Sequence, residues 1–211
     1  MYFLKTRKAL IIILMLFISL LLFSCSNETS ITNGQSYRDT VLNYYSKYID
    51  INNSLYTEMV FFKEKSFGND YLILSHLYQG QGQSSLDLFV LSGKNGNYEI
   101  IKKSTGQEPL SMGFSVNRLI EEDKTILFGK FNSSTMVIKD ASRKMVDYAK
   151  IEVIFKDGTI VEENVMQDNS YIIIADTTSE IDKMLLFNHS GEIEETLEDV
   201  GLNNVTFNDV K

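Results

Sequence analysis

Short apolar runs recur between Thr125 and Leu197 with turn residues between them, and this spacing limits the fold more than any other feature of the chain. The runs are Thr125–Phe131, Thr135–Ile138, Tyr148–Phe155, Thr159–Val165, Tyr171–Asp176, Lys183–Asn188 and Ile193–Leu197. Asp157-Gly158 and Ser190-Gly191 stand between neighbouring runs, and such pairs favour hairpin turns. Ile151, Val153 and Phe155 alternate with Glu152, Ile154 and Lys156, the period of a half-buried strand.

Seven short strands in about 75 residues predict a β-sandwich of immunoglobulin-like architecture over residues 123–211. The tryptophan and the disulfide of antibody domains are missing, because the chain holds no Trp and one Cys. The preceding part, 36–122, reads as an α+β lobe. Ser36–Asp50 has Tyr37, Val41, Tyr44, Tyr45, Tyr48 and Ile49 at helical spacing. Ser36 is the expected N-cap, with Asp39 in the capping-box position. Met59–Lys65, Asp70–Leu77, Leu86–Leu91 and Tyr98–Lys102 follow as strands, with Leu110–Leu119 as a further strand or irregular segment. The fold class expected is therefore mainly β, α+β overall: an N-terminal helix packed on an antiparallel sheet, then the sandwich. A lobe boundary is expected at the charged break Ile120–Lys124, and a loose acidic tail over Glu192–Lys211.

The first 24 residues differ in kind. Lys5, Arg7 and Lys8 precede an apolar stretch, Ala9–Phe23, interrupted only by Ser19. Its unbroken part is shorter than the roughly 20 residues a spanning helix needs, and the pattern is that of a secretory signal peptide, 1–24. The lone cysteine, Cys25, follows directly. Leu22-Phe23-Ser24-Cys25 resembles the lipobox of bacterial prolipoproteins, although that family usually has a small or β-branched residue where Phe23 stands. The resemblance implies a diacylglycerol in thioether linkage on Cys25 and cleavage before it. Two acyl chains anchor durably where one binds only marginally. Residues 25–35 then form a lipid-anchored flexible tether, and the folded part has no thiol for a disulfide or a metal site. In amino-acid usage the chain looks like a small surface lipoprotein of a low-GC Gram-positive bacterium.

The formal charge is −8, and the signal segment holds three cations and no acid, so the rest carries −11. Such a body repels phosphate backbones, which argues against nucleic-acid binding.

Catalytic signatures are sparse. His76 and His189 stand 113 positions apart. No zinc helix, Ser-x-x-Lys motif, phosphate loop or dinucleotide fingerprint is present. Gly113-Phe114-Ser115-Val116-Asn117 follows a nucleophile elbow for three residues and fails where Asn117 replaces the second glycine. The acidic clusters Glu121-Glu122-Asp123, Glu162-Glu163 and Glu192–Asp199 lack the ligand spacing of a calcium loop. No catalytic, cofactor or metal residue is nominated. The one candidate recognition loop is the chargeless run Gln79, Gly80, Gln81, Gly82, Gln83, continuing to Ser85.

The expected function is that of a membrane-anchored extracytoplasmic lipoprotein, a non-enzymatic binding or accessory module. Its partners are membrane lipid through Cys25 and a membrane or surface protein. The alternatives are a cell-wall enzyme using carboxylates the sequence does not identify, an immunity or accessory lipoprotein touching a membrane protein, and, ranked low, a transporter's solute-binding component.

Overall fold

A computed structural model describes residues 36–48, 56–79, 83–94, 96–137, 139–165 and 169–210. The expected signal segment, Cys25 and the tether lie outside the described residues.

Helix α1 is Tyr37–Tyr48. Ser36 and Asp39 cap it reciprocally, as expected. The Asp39 N–H donates to the Ser36 hydroxyl at 3.2 Å, and the Ser36 N–H donates to the Asp39 carboxylate at 3.1 Å. Val41 and Tyr45 are buried, and Tyr37 and Tyr44 pack beside them. The Tyr48 side chain and Ile49 lie outside the described residues.

The helix lies on the first of three large sheets. Strands β1 (Tyr56–Phe67), β2 (Asp70–Gln79), β3 (Gln83–Lys94) and β4 (Asn97–Gly106) form an antiparallel meander. Along β2, Ile73 and Leu77 face α1 while Leu72 and Leu74 face the other way. Both sides are buried, which is why apolar residues run consecutively there.

The second sheet is built from β5 (Asn117–Glu121), β6 (Lys124–Lys130), β11 (Ser170–Ala175) and β14 (Asn203–Asn204). Its order is β11-β6-β5-β14. The third contains β9 (Tyr148–Phe155), β10 (Ile160–Asn164), β12 (Ile181–Asn188) and β13 (Ile193–Thr196), in the order β10-β9-β12-β13. A separate hairpin, β7 (Ser134–Val137) with β8 (Ser142–Met145), stands between β6 and β9. A one-turn helix α2 (Leu197–Val200) leads to β14 and to β15 (Asn208–Asp209), which pairs with β4.

Leaving that hairpin aside, β5, β6, β9, β10, β11, β12 and β13 follow a Greek key. The first, second and fifth of these seven share one sheet, and the third, fourth, sixth and seventh share the other. This is the immunoglobulin-like sandwich expected from the strand spacing. Phe114, Leu127, Phe131, Tyr171 and Ile173 meet Ile151, Val153, Phe155, Met184 and Leu186 inside it. The opposite face of the second sheet is also covered. Ile126, Phe128, Leu119 and Ile172 pack against Leu72, Leu74, Leu86 and Leu88 of the first sheet. The layers therefore run α1, first sheet, second sheet, third sheet, with the second sheet dry on both sides.

Several expectations need correction. The lobe boundary placed at 122/123 falls inside the β5–β6 hairpin, where Glu121 pairs with Lys124, and Gln35–Lys211 forms one compact unit. A charged turn exposes its acids to water whether it joins domains or adjacent strands, so composition alone does not separate the two. Within Leu110–Leu119 only the last three residues are in a strand. The acidic tail is not loose. Glu195 is buried, β14 and β15 are paired, and Val205 and Phe207 pack onto the core between the first two sheets.

Candidate functional site

The chemistry-bearing side chains of the first sheet gather in two groups, one on each face. Toward α1 the centre is Asp87, fully buried on β3. Its carboxylate accepts hydrogen bonds from Tyr45, from Thr105 at 2.6 Å and from Ser85 at 3.1 Å, and it pairs with Lys103 at 3.0 Å. The Lys103 ammonium also lies over the rings of Tyr44, Tyr45 and Phe89, within 6 Å of each. Burial, with the Asp87 charge and hydrogen bond, pushes the Tyr45 hydroxyl far above its usual range. A buried carboxylate needs this much compensation to remain ionised. The group thereby fixes the helix to the sheet.

Toward the second sheet the centre is His76, also fully buried, on β2. Its ring lies between Phe62 on β1, stacked at 5.9 Å, and Tyr78, edge-on at 3.8 Å. Nε2 is hydrogen-bonded to the Glu108 carboxylate, and Nδ1 lies 3.3 Å from the Lys130 ammonium at the end of β6. An ammonium only donates, so in the neutral ring Nδ1 accepts and Nε2 carries the proton given to Glu108. Lys130 also donates to the Tyr78 hydroxyl at 3.2 Å and sits 5.0 Å above the Phe62 ring. Half-burial by itself raises the Glu108 carboxyl pKa. Hydrogen bonds from His76 and Ser84 and the Lys130 charge outweigh it, so the group titrates below its ordinary value. The result is a charge-ordered line, carboxylate to imidazole to ammonium, that joins the β4–β5 loop to the first two sheets. Both ring nitrogens are engaged within it.

That loop, Gln107–Val116, also lines a small open cleft with Val200 and Gly201. Asn117 holds both ends of the arrangement. Its fully buried side chain accepts from the Gln107 N–H at 2.6 Å and from Asn203 at 2.7 Å. It donates to the carbonyls of Gln107 at 2.9 Å and Phe128 at 3.2 Å. The Gly113–Asn117 segment is thus no nucleophile elbow. Ser115 is buried, its hydroxyl accepts from the Lys130 N–H, and its carbonyl accepts from Tyr171. Beside it, Tyr148 and Glu195 occupy the space that a side chain at Gly113 would need.

The candidate recognition loop joins β2 to β3. Gln79 pairs with Gln83, and Ser84 and Ser85 continue β3; Gly80, Gln81 and Gly82 lie outside the described residues. The two histidines are not brought together, because His189 lies in the β12–β13 turn, 3.5 Å from Asp147. The acidic clusters are largely engaged with lysines: Glu121 with Lys102, Glu162 with Lys150, Glu163 with Lys63 and Lys65, Glu194 with Lys144. Among the described residues no three His, Cys, Asp or Glu side chains group as metal ligands, and no helix is long and apolar enough to cross a membrane. Sequence reading missed Glu108 and Lys130. They stand 32 and 54 positions from His76, and no local pattern marks either.

Compared with protein-family models, with curated proteins and with solved structures, the chain matches none.

Proposed function

We propose that this chain is a membrane-anchored extracytoplasmic lipoprotein whose folded body binds a protein partner. The observation that carries the anchoring is the position of the sole cysteine, directly after Leu22-Phe23-Ser24 at the end of a short apolar run. Binding through a β surface is supported by the layer order. The outer face of the first sheet is covered by α1, while the outer face of the third has no layer on it among the described residues. There Ile160, Ile154 and Lys183 line up across strands, as do Glu162, Glu152 and Leu185. Lys150 lies 4.6 Å over the Phe187 ring on the same face. Half-exposed apolar residues interleaved with charges suit a reversible protein contact. The half-buried carboxylates Glu108 and Glu163 are held below the ordinary range, opposite to what a general acid needs near neutral pH.

Metabolic labelling with a radioactive fatty acid, followed by membrane fractionation, tests the anchor. The natural chain is expected to take up label and sediment with membranes, and Cys25→Ser to lose the label and change mobility. Unchanged mobility and sedimentation of Cys25→Ser, with no label in either protein, overturns the reading. Crosslinking on intact cells tests the partner, and capture of glycan alone would count against a protein.

A further inference from the structure

The β7–β8 hairpin belongs to neither sheet of the sandwich, and every residue of β8 is exposed. Met136 pairs with Arg143, and Ser134 with Met145. Alternation therefore puts Met136, Arg143 and Met145 on one face. Met145 is 73% exposed and Met136 39%. Lys144 falls on the opposite face, where it pairs with Glu194.

Leu110 is a further exposed apolar residue, in the loop beside this hairpin. Ser111 accepts the Met136 N–H at 2.9 Å, which brings the β4–β5 loop alongside β7. Leu110 is 77% exposed and has φ +49°. A leucine rarely adopts this left-handed backbone. Asn132 maintains it by donating to the carbonyls of Leu110 at 3.1 Å and Met112 at 2.7 Å. Strain that holds a large apolar side chain out into water points to a contact made there.

The charge of the hairpin differs from that of the body. With Lys144 neutralised by Glu194 on the other face, Ser134–Met145 holds Lys139 and Arg143 against Asp140, a net of +1 in a mature chain of −11. Apolar tips beside cations fit the interface of an anionic bilayer, where the apolar groups enter the acyl boundary and the cations meet headgroups.

We infer that the Met136–Met145 face, with Leu110, rests on an anionic lipid bilayer and sets the orientation of the protein on the membrane. This inference rests on the anchoring reading. The ten residues between Cys25 and Ser36 reach at most roughly 35 Å. Tyr37 sits by Tyr71 and Tyr98, at one end of the first sheet. Lys130, four residues before β7, lies beside His76 and Tyr78 toward the other end, roughly 20 Å from Tyr71 along β2. The tether is long enough to let both ends touch one bilayer. A contact too weak to hold a free protein suffices here, because the lipid keeps the local concentration high.

The test uses the full-length protein reconstituted through its own lipid into vesicles of phosphatidylglycerol and phosphatidylcholine. With Cys25 blocked by acylation, Met145→Cys offers a single thiol for an environment-sensitive fluorophore. Leu110→Cys is the second position, and Ile160→Cys, on the third sheet, is the control in water. Emission from 145 and 110 is expected to shift blue and to be quenched by lipids brominated in the acyl chains. Emission from 160 is expected to do neither. Adding Lys139→Glu with Arg143→Glu is expected to lower the bilayer-associated population about tenfold.

Emission from 145 as water-like as from 160 overturns the inference. So does a blue shift that needs native membranes and fails in pure lipid, which would assign the face to a protein. Flotation of the vesicles is read first and reports the anchor separately. A chain that does not float overturns the anchoring reading and this one with it.

Discussion

The ammonium of Lys63 on β1 lies 2.7 Å from the carboxylate of Glu163 on β10, so an ion pair joins the first sheet to the third around the edge of the second. Lys65 completes the clamp, reaching Glu163 at 2.9 Å and donating to the Ile172 carbonyl on β11 at 2.8 Å. Burial raises the Glu163 pKa and the two lysines lower it, with the lysines prevailing. A carboxyl depressed in the folded state stabilises above its unfolded pKa, and that stability is lost as pH falls through the folded value. Glu163→Gln is expected to cost about 2 kcal/mol at pH 7 and less at pH 3, where the carboxyl is closer to its neutral form. Urea titrations of both proteins at the two pH values check this; an equal loss at both would refute it.

His76 and Glu108 are expected to be energetically coupled. His76→Phe keeps the ring stack but leaves Lys130 and Glu108 without their shared partner. The cost should be about 2 kcal/mol, and Glu108→Gln in the same background should add little. A double-mutant cycle giving a coupling below about 0.5 kcal/mol would show that the charge-ordered line is incidental.

Asn117→Ala removes an amide that satisfies the β4–β5 loop, β6 and Asn203 together. Loss of about 3 kcal/mol is expected, since several buried backbone groups lose their partners at once. Limited proteolysis gives a sharper readout. Cleavage after residue 200 should appear early in the variant, because Asn203 no longer has its hydrogen-bond partner.

Gly113→Ala places a methyl group where the Tyr148 hydroxyl and the Glu195 carboxylate already are. Burial and the Glu195 carboxylate raise the Tyr148 hydroxyl pKa, so the displaced hydroxyl remains neutral and has nowhere polar to go. A loss of about 1–3 kcal/mol is expected from overpacking. Tyr148→Phe in the same chain should recover part of it, by thermal melting, and no recovery would mean that the clash lies elsewhere.

Local patterns made much of the fold legible. Asp157-Gly158 and Ser190-Gly191 mark the turns they were expected to mark, with φ of +88° and +79° at the two glycines. The Ser36–Asp39 cap also stands where expected. The stacking of three sheets was encoded less directly. Ile126-Leu127-Phe128 and Tyr171-Ile172-Ile173 are consecutive apolar runs, and such runs indicate strands covered on both faces. The expectation of a lobe boundary at Ile120–Lys124 rests on the charged break and does not use that signal. The β8 strand went unseen because Ser142-Arg143-Lys144-Met145 has no buried side for a period to reveal. Glu108 and Lys130 meet His76 only through the stacking of sheets, so nothing near them in the chain could announce the cluster.

The pairing of β15 with β4 carries a consequence for biogenesis. Asn208 and Asp209 lie against Lys103 and Lys102, with Val205 and Phe207 packed on the interior between the first two sheets. A ribosome makes the chain from its N-terminal side, so the flank of β4 stays bare until Asn208 and Asp209 have been added. A product truncated before Asn208 therefore lacks that seal and would display the open flank to quality-control proteases.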